Sequence, residues 1–157
     1  MSLVIRRMLE ADLAAVGEID QISFSMPWPE RSFRFELTSN PASRCWVAES
    51  DGRVAAMLVI WMIVDEAHIA TIATHPDFRR RGISTALLER ALQAAVDEGA
   101  VRAFLEVRAE NHAAQTMYRQ LGFGEDGRRP RYYKDNGEDA ILMSVNLDAF
   151  NWSGNES

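Results

Sequence analysis

At 157 residues the chain is long enough for one well-buried core and short for two, since domains cluster at about 100–150 residues. Hydrophobic residues make up 47% and charged residues 25%, which excludes a disordered tract, a collagen-like repeat and a disulfide scaffold. With 17 basic against 23 acidic residues the net charge is −6, so direct nucleic-acid binding is not expected, because neutralising phosphates needs a surplus of Lys and Arg on one face.

No apolar run reaches the roughly 18–20 residues of a bilayer span, and Arg6, Arg7 and Glu10 interrupt any signal-peptide pattern. A cytoplasmic address without membrane contact is the expectation, and the single Cys45 suits a reducing compartment. His68, His75 and His112 are too scattered to suggest a metal site. One domain is expected over 1–157, with a core at about 4–147 and a polar tail at 148–157 that frays from Asn151 on.

In chain order, 4–8 reads as a strand, and Leu13, Val16, Ile19 and Ile22 recur at helical spacing within 11–23. Met26-Pro27-Trp28-Pro29 breaks the chain before a second helix, in which Phe33 and Leu37 share a face; Asn40-Pro41 ends it. Residues 44–49 and 53–64 flank Asp51-Gly52 as a hairpin. A further antiparallel strand spans roughly 67–74 and stops at His75-Pro76, since proline cannot donate to a central ladder. Ala86, Leu87, Ala91, Leu92 and Ala95 then mark a helix that Gly99 ends. A strand at 103–107, a helix at 113–120, a turn at Leu121-Gly122-Phe123 into another strand, and a last strand at 140–146 complete the order. Strands first antiparallel and then joined by crossover helices imply an α/β (α+β) architecture: a central mixed sheet with helices on both faces.

The loop Phe78-Arg79-Arg80-Arg81-Gly82-Ile83-Ser84-Thr85 joins a strand to a helix. A helix N-terminus offers unpaired N–H groups and the positive end of a dipole, so such a loop suits a diphosphate, and Gly82 lets the backbone approach it closely. No Walker lysine or nucleotide-type glycine triplet is present, which argues against ATP or NAD. The competing reading is a solvated run of arginines with a glycine that only relieves a turn.

These residues resemble the GNAT superfamily of N-acetyltransferases, whose acetyl-coenzyme A loop reads Arg or Gln, two residues, Gly, one residue, then Gly or Ala. Here Arg79, Gly82 and Ser84 stand at those positions, Ser84 being a departure small enough to permit close approach. The resemblance implies a GNAT fold with about seven strands, mostly antiparallel, and acetyl-coenzyme A held by Ile72, Ala73 and Thr74, by Arg79 to Thr85, and by Asn111. Leu105-Glu106-Val107-Arg108-Ala109-Glu110-Asn111, Met117 to Phe123, Arg131-Tyr132-Tyr133 and the Met-Pro-Trp at 26–28 are similar to the ribosomal-protein-alanine N-acetyltransferases of that superfamily. The likeness covers about 5–147. It implies a protein or peptide N-terminus as acceptor, in particular that of a small-subunit ribosomal protein, with Trp28, Arg131, Tyr132 and Tyr133 along its groove; a monomer or weak dimer is expected.

Acyl transfer from a thioester to an amine needs a neutral amine, a stabilised oxyanion and a proton for the departing thiolate. By resemblance Glu106 is the base and Tyr118 the acid. In strand alternation Glu106 lies opposite Leu105 and Val107 and points away from the core they fill; as a bare sequence feature it is equally an exposed strand carboxylate. Tyr118 shares a helical face with Ala114 and Leu121, so packing and catalysis are both open to it. Asn111 precedes a helix and also suits a cap. A protein α-amine, with a pKa of about 7.7–8.0 against about 10.4 for lysine, asks less of such a base. Cys45 carries no nucleophile signature, so direct attack without an acyl-enzyme is expected. Two other readings remain: a GNAT enzyme acting on a small amine such as a polyamine or antibiotic, and a domain that binds acetyl-coenzyme A as a sensor without turnover.

Overall fold

The computed structural model describes residues 2–153. Seven strands, β1 (Leu3–Arg7), β2 (Ser43–Ser50), β3 (Arg53–Ile63), β4 (Glu66–Thr74), β5 (Arg102–Arg108), β6 (Gly124–Arg129) and β7 (Ala140–Asn146), form one sheet in the order β1-β2-β3-β4-β5-β7-β6. Every neighbouring pair is antiparallel except β4 and β5. The β2–β3 connection is the expected tight turn, with Asp51 at φ 54° and Gly52 at φ 83°, the double left-handed geometry that matches strand twist.

Helices α1 (Leu13–Ser23) and α2 (Glu30–Thr38) cover one face. There Leu13, Val16, Ile19 and Phe33 pack on Cys45, Val47, Met57, Val59 and Ala73. Helices α3 (Ile83–Asp97) and α4 (His112–Gln120) supply the other face, where Leu87, Leu88, Ala91, Leu92 and Tyr118 meet Ala48, Leu58, Ile60, Leu105 and Ile141. Alternation along β2 and β3 therefore feeds two cores, because successive side chains leave a strand on opposite sides. Among the described residues no helix is long and apolar enough to cross a membrane.

Strands β4 and β5 pair over three residues only, Glu66 to His68 against Arg102 to Phe104. Both strands then continue, β4 to Thr74 and β5 to Arg108, without pairing to each other. Each keeps its outer partner: β4 follows β3 as far as Thr74 opposite Ala56, and β5 follows β7 as far as Arg108 opposite Ala140. Just past the last shared pair, the β3–β4 register jumps from Ile60–Ile69 to Val59–Thr71, leaving Ala70 as an extra residue. A bulge tends to bend its strand, and this one falls just beyond the point where β4 and β5 stop pairing. The sheet is thus open down its middle.

The C-terminal residues depart from the expectation of a frayed tail. Phe150 is 4% exposed, Trp152 packs at 4.3 Å on its ring and donates to the Leu147 carbonyl, and Asn151 bonds the carbonyls of Leu121 and Gln120. Two aromatic rings repay the ordering of a segment whose polar letters alone suggest a loose end; the expected fraying at 154–157 lies outside the described residues. The turn receiving this tail depends on Gly122, at φ 108°, where an added Cβ would stand 2.9 Å from the Ala149 carbonyl oxygen. Gly122→Ala is expected to destabilise the fold by about 1–3 kcal/mol, read as a fall of several degrees in the thermal midpoint; an unchanged midpoint would mean that the turn and tail shift freely.

Candidate active site

The open seam leads from the parting of β4 and β5 to the start of α3. Ile72, Ala73 and Thr74 lie on β4 beyond the parting, with their β3 side paired and their β5 side free of β5. A short turn, Pro76–Phe78, follows with the Asp77 N–H capped by the His75 ring, and then comes the arginine loop. Arg80 at φ 64° and Gly82 at φ 73° are both left-handed, a conformation costly for arginine and free for glycine. Among the described residues no side chain caps α3 and the amides of its first turn, Ile83 to Thr85, have no side-chain partner; an added Cβ on Gly82 would meet nothing within 4 Å. Arg79, Arg80 and Arg81 are exposed. The Arg79 Nε lies 3.4 Å from the Thr74 carbonyl oxygen, and Arg81 sits over the Phe78 ring at 5.4 Å. Ser84 bonds Thr74 through their hydroxyls, so the residue that departs from the family pattern ties the end of β4 to the first turn of α3.

Glu106 is exposed while Leu105 and Val107 are buried, as the alternation requires. It stands two residues past Phe104, the last β5 residue that pairs with β4. Tyr118 is 5% exposed, its ring edge-on to Phe123 at 5.6 Å. Burial pushes its pKa up to about 12. No hydrogen bond to its hydroxyl occurs among the described residues. Asn111 is the N-cap of α4: its Oδ1 accepts from the Ala114 N–H at 3.2 Å, leaving its side-chain amide donors outward.

The expected acceptor residues divide. Tyr132 and Tyr133, in the loop joining β6 to β7, come together with Glu106. Burial first, and then the charge of Glu106, holds the Tyr132 hydroxyl above the ordinary tyrosine range; burial also raises Tyr133, opposed by the Arg108 charge and aided by Glu106. Arg131, second in that loop after Pro130, adopts φ 53°, its N–H bonded to the Asp139 carboxylate at 3.0 Å. Trp28 precedes α2 and turns its ring to Phe33 at 5.0 Å and to Trp61 at 6.4 Å, with its N–H held by Asp20 at 2.6 Å; no ring contact joins it to either tyrosine among the described residues.

Other residues of the site carry no local sequence signal. Gln115, 7% exposed, donates from Nε2 to the carbonyls of Arg108 and Ala109, both at 3.0 Å, and so fastens the end of β5 to α4. Arg53 reaches from the β2–β3 turn to the same Phe78 ring as Arg81, at 4.9 Å, and adds positive charge beside the loop. Arg108 gathers Asp135, Glu138 and Tyr133 around its guanidinium, two residues along β5 from Glu106.

Comparison with known proteins places this geometry. The acetyltransferase (GNAT) family profile matches residues 13–123. The Escherichia coli K12 ribosomal protein bS18-alanine N-acetyltransferase is 37% identical over 145 residues, covering 85% of this chain and 90% of that one. A Bacillus subtilis relative, given the same name provisionally, is 39% identical over 144 residues, 92% of this chain and 95% of its own. The E. coli ribosomal-protein-S18-alanine N-acetyltransferase crystal structure superposes with a TM-score of 0.85 at 32% identity over 99% of both chains, and Ard1 from Thermoplasma volcanium with 0.85 at 26% identity over 93% and 98%. The chain belongs to the GNAT family and is an N-acetyltransferase, with the seven-stranded, mostly antiparallel sheet that its sequence implied.

Proposed function

We propose that this enzyme transfers the acetyl group of acetyl-coenzyme A directly to the N-terminal α-amine of a protein, and that its acceptor is the alanine-starting ribosomal protein bS18. The observation that carries this reading is the continuity of one seam. It runs from the uncapped first turn of α3, along the β4 edge at Ile72 to Thr74, to the exposed Glu106 just beyond the parting of β4 and β5. The names of the E. coli and B. subtilis relatives, matched over most of the chain, support the acceptor.

The residues fit the donor. Two left-handed residues in three, an amide-rich first turn and open space before Gly82 suit a diphosphate, which Arg79, Arg80 and Arg81 would hold by charge. Ile72, Ala73 and Thr74 present N–H and C=O groups that lack a β5 partner, so an extended amide-bearing arm would complete the ladder there. Asn111 would add its free side-chain amide. Acetyl-coenzyme A supplies an acetyl group activated on a sulfur leaving group.

Glu106 takes the proton from the acceptor amine at its carboxylate, directly or through one water, and its exposure on β5 keeps it reachable. Tyr118 gives its hydroxyl proton to the departing sulfur; held up to about 12, it stays protonated throughout the working range and is ready to donate. Cys45 takes no part: it is 6% exposed beneath α1 and α2, and burial pushes its thiol up, away from the thiolate form. No acyl-enzyme is required. Arg131, Tyr132 and Tyr133 would line the approach of the acceptor chain beside Glu106, and Trp28, packed on Phe33 and Trp61, would act only from the separate α1–α2 loop.

Peptides with free alanine, serine or methionine N-termini, offered beside polyamines and aminoglycosides, test the acceptor: turnover of the alanine peptide is expected, and turnover of the small amines alone would overturn the reading. Tyr118→Phe preserves the ring against Phe123 and removes only the hydroxyl, so kcat should fall roughly 10²–10⁴-fold with acetyl-coenzyme A binding nearly intact; equal turnover would leave Tyr118 a packing residue. The same substitution reads out the pKa. Burial favours the neutral phenol, so its stabilising contribution is present below about pH 10 and is lost as pH rises through about 12, a difference of roughly 2–3 kcal/mol. The wild type should therefore lose more stability than Tyr118→Phe over that interval in denaturant melts, and parallel losses would contradict the assignment.

A further inference from the structure

We propose that Arg108 is a positioning residue for the acceptor: it clasps the loop between α1 and α2 to the loop between β6 and β7 and holds Tyr133 and Tyr132 beside Glu106. The inference rests on the acceptor reading above for its consequence and on geometry alone for the clasp.

Arg108 is the last residue of β5 and follows Glu106 by two, so both side chains leave the same face of the strand. Its Nη1 donates to Asp135 Oδ1 at 3.1 Å and Glu138 Oε1 at 3.2 Å, and its Nη2 to Asp135 Oδ2 at 3.1 Å. The fork on Asp135 is two-pronged, which fixes direction as well as distance. The same Nη2 lies 3.4 Å from Ser25 Oγ, and Ser25 in turn donates to Asp135 Oδ2. The Arg108 guanidinium also covers the Tyr133 ring, with Cζ 3.9 Å from its centre. Burial alone would lower the Arg108 pKa, but its hydrogen bonds to Asp135 and Glu138 outweigh it and hold it above its ordinary value. Asp135 is held below the usual carboxylate range by Ser25 and then Arg108, and Glu138 by the Glu110 N–H first.

Three segments distant in the chain thus meet at one guanidinium. Ser25 lies in the 24–29 loop, whose far end is anchored separately by the Trp28 N–H on Asp20. That loop and the β6–β7 loop carry exposed apolar side chains, Phe24 and Met26 on the first and Tyr132 on the second, and Tyr132 stands beside Glu106. The clasp sets the distance between the two loops, and so the room for the first side chains of an acceptor.

The clasp is peripheral to the fold. Its charged partners are partly exposed, with Arg108 and Asp135 side chains at 25% and 22%, and such pairs add little to global stability. The β5 backbone at this point is secured independently, by Gln115 on the carbonyls of Arg108 and Ala109 and by pairing of Arg108 with Ala140. Removing the guanidinium should free the loops and leave the strand in place.

The test uses the whole enzyme with an alanine-starting peptide, comparing wild type, Arg108→Gln and Asp135→Asn. Asp135 is on a surface loop, so its substitution does not threaten folding. In both variants the acceptor KM is expected to rise about 10–100-fold while the acetyl-coenzyme A KM stays within about twofold, and amide hydrogen exchange should quicken at both 24–29 and 130–139. An unchanged acceptor KM, an equal rise for both substrates, or unchanged exchange at 24–29 would each overturn the proposal. Absence of peptide acetylation by the wild type would instead sink the acceptor reading, while the exchange comparison would still decide the clasp.

Discussion

Two neighbouring strands in this sheet stop pairing while both continue, and the proposed chemistry is arranged around that gap. After His68 and Phe104, β4 and β5 part, yet β3 and β7 hold them as strands to Thr74 and Arg108. Backbone N–H and C=O groups left without a ladder partner inside a fold demand one, and an extended ligand bearing amides can provide it. The extra residue Ala70 falls just beyond the place where the pairing ends, and the same strand delivers the chain to Gly82 and α3. A single local irregularity thereby marks the start of the seam that leads to the helix terminus. Thr74 and Ser84 then lock the two ends of that path together.

The two ionisable groups assigned to proton transfer sit in opposite environments. Tyr118 is packed against Phe123 in the larger core, where burial favours the protonated phenol. Glu106 stands on the solvent face of β5, where an incoming amine can reach it. A donor that stays protonated and an acceptor that stays accessible are the division that acyl transfer to an amine requires. Around them the enzyme is acidic overall, with a charge of −6, and its positive charge is spent locally at 79–81. That pairing suits an anionic donor and a basic protein acceptor.

What the sequence made legible was local. The periodicity of α3, the Asp51-Gly52 turn, the glycine entering a helix and the exposure of Glu106 each depend on residues within a few positions of one another, and each stands in the structure. The bulge at Ala70 had no signal, because an alanine fits a regular strand as well as an irregular one. The Arg108 clasp joins partners 27 and 83 residues away, and Ser25 reaches Asp135 across 110, separations at which no pattern in the letters predicts contact. Trp152 was obscured for a different reason: its neighbours are polar, and only the tertiary pocket beside Phe150 makes its burial favourable. Trp28 belongs to the aromatic stack on Trp61, a cross-segment packing that its Met-Pro-Trp setting does not reveal.

The central claim is that the seam between β4 and β5 and the first turn of α3 form one binding surface for the donor. Amide hydrogen exchange with and without saturating coenzyme A tests it most directly. The account predicts slowed exchange confined to 70–74 on β4 and to 82–86 at the head of α3, with the rest of the sheet unchanged. Slowing elsewhere with those two segments unaffected would contradict it.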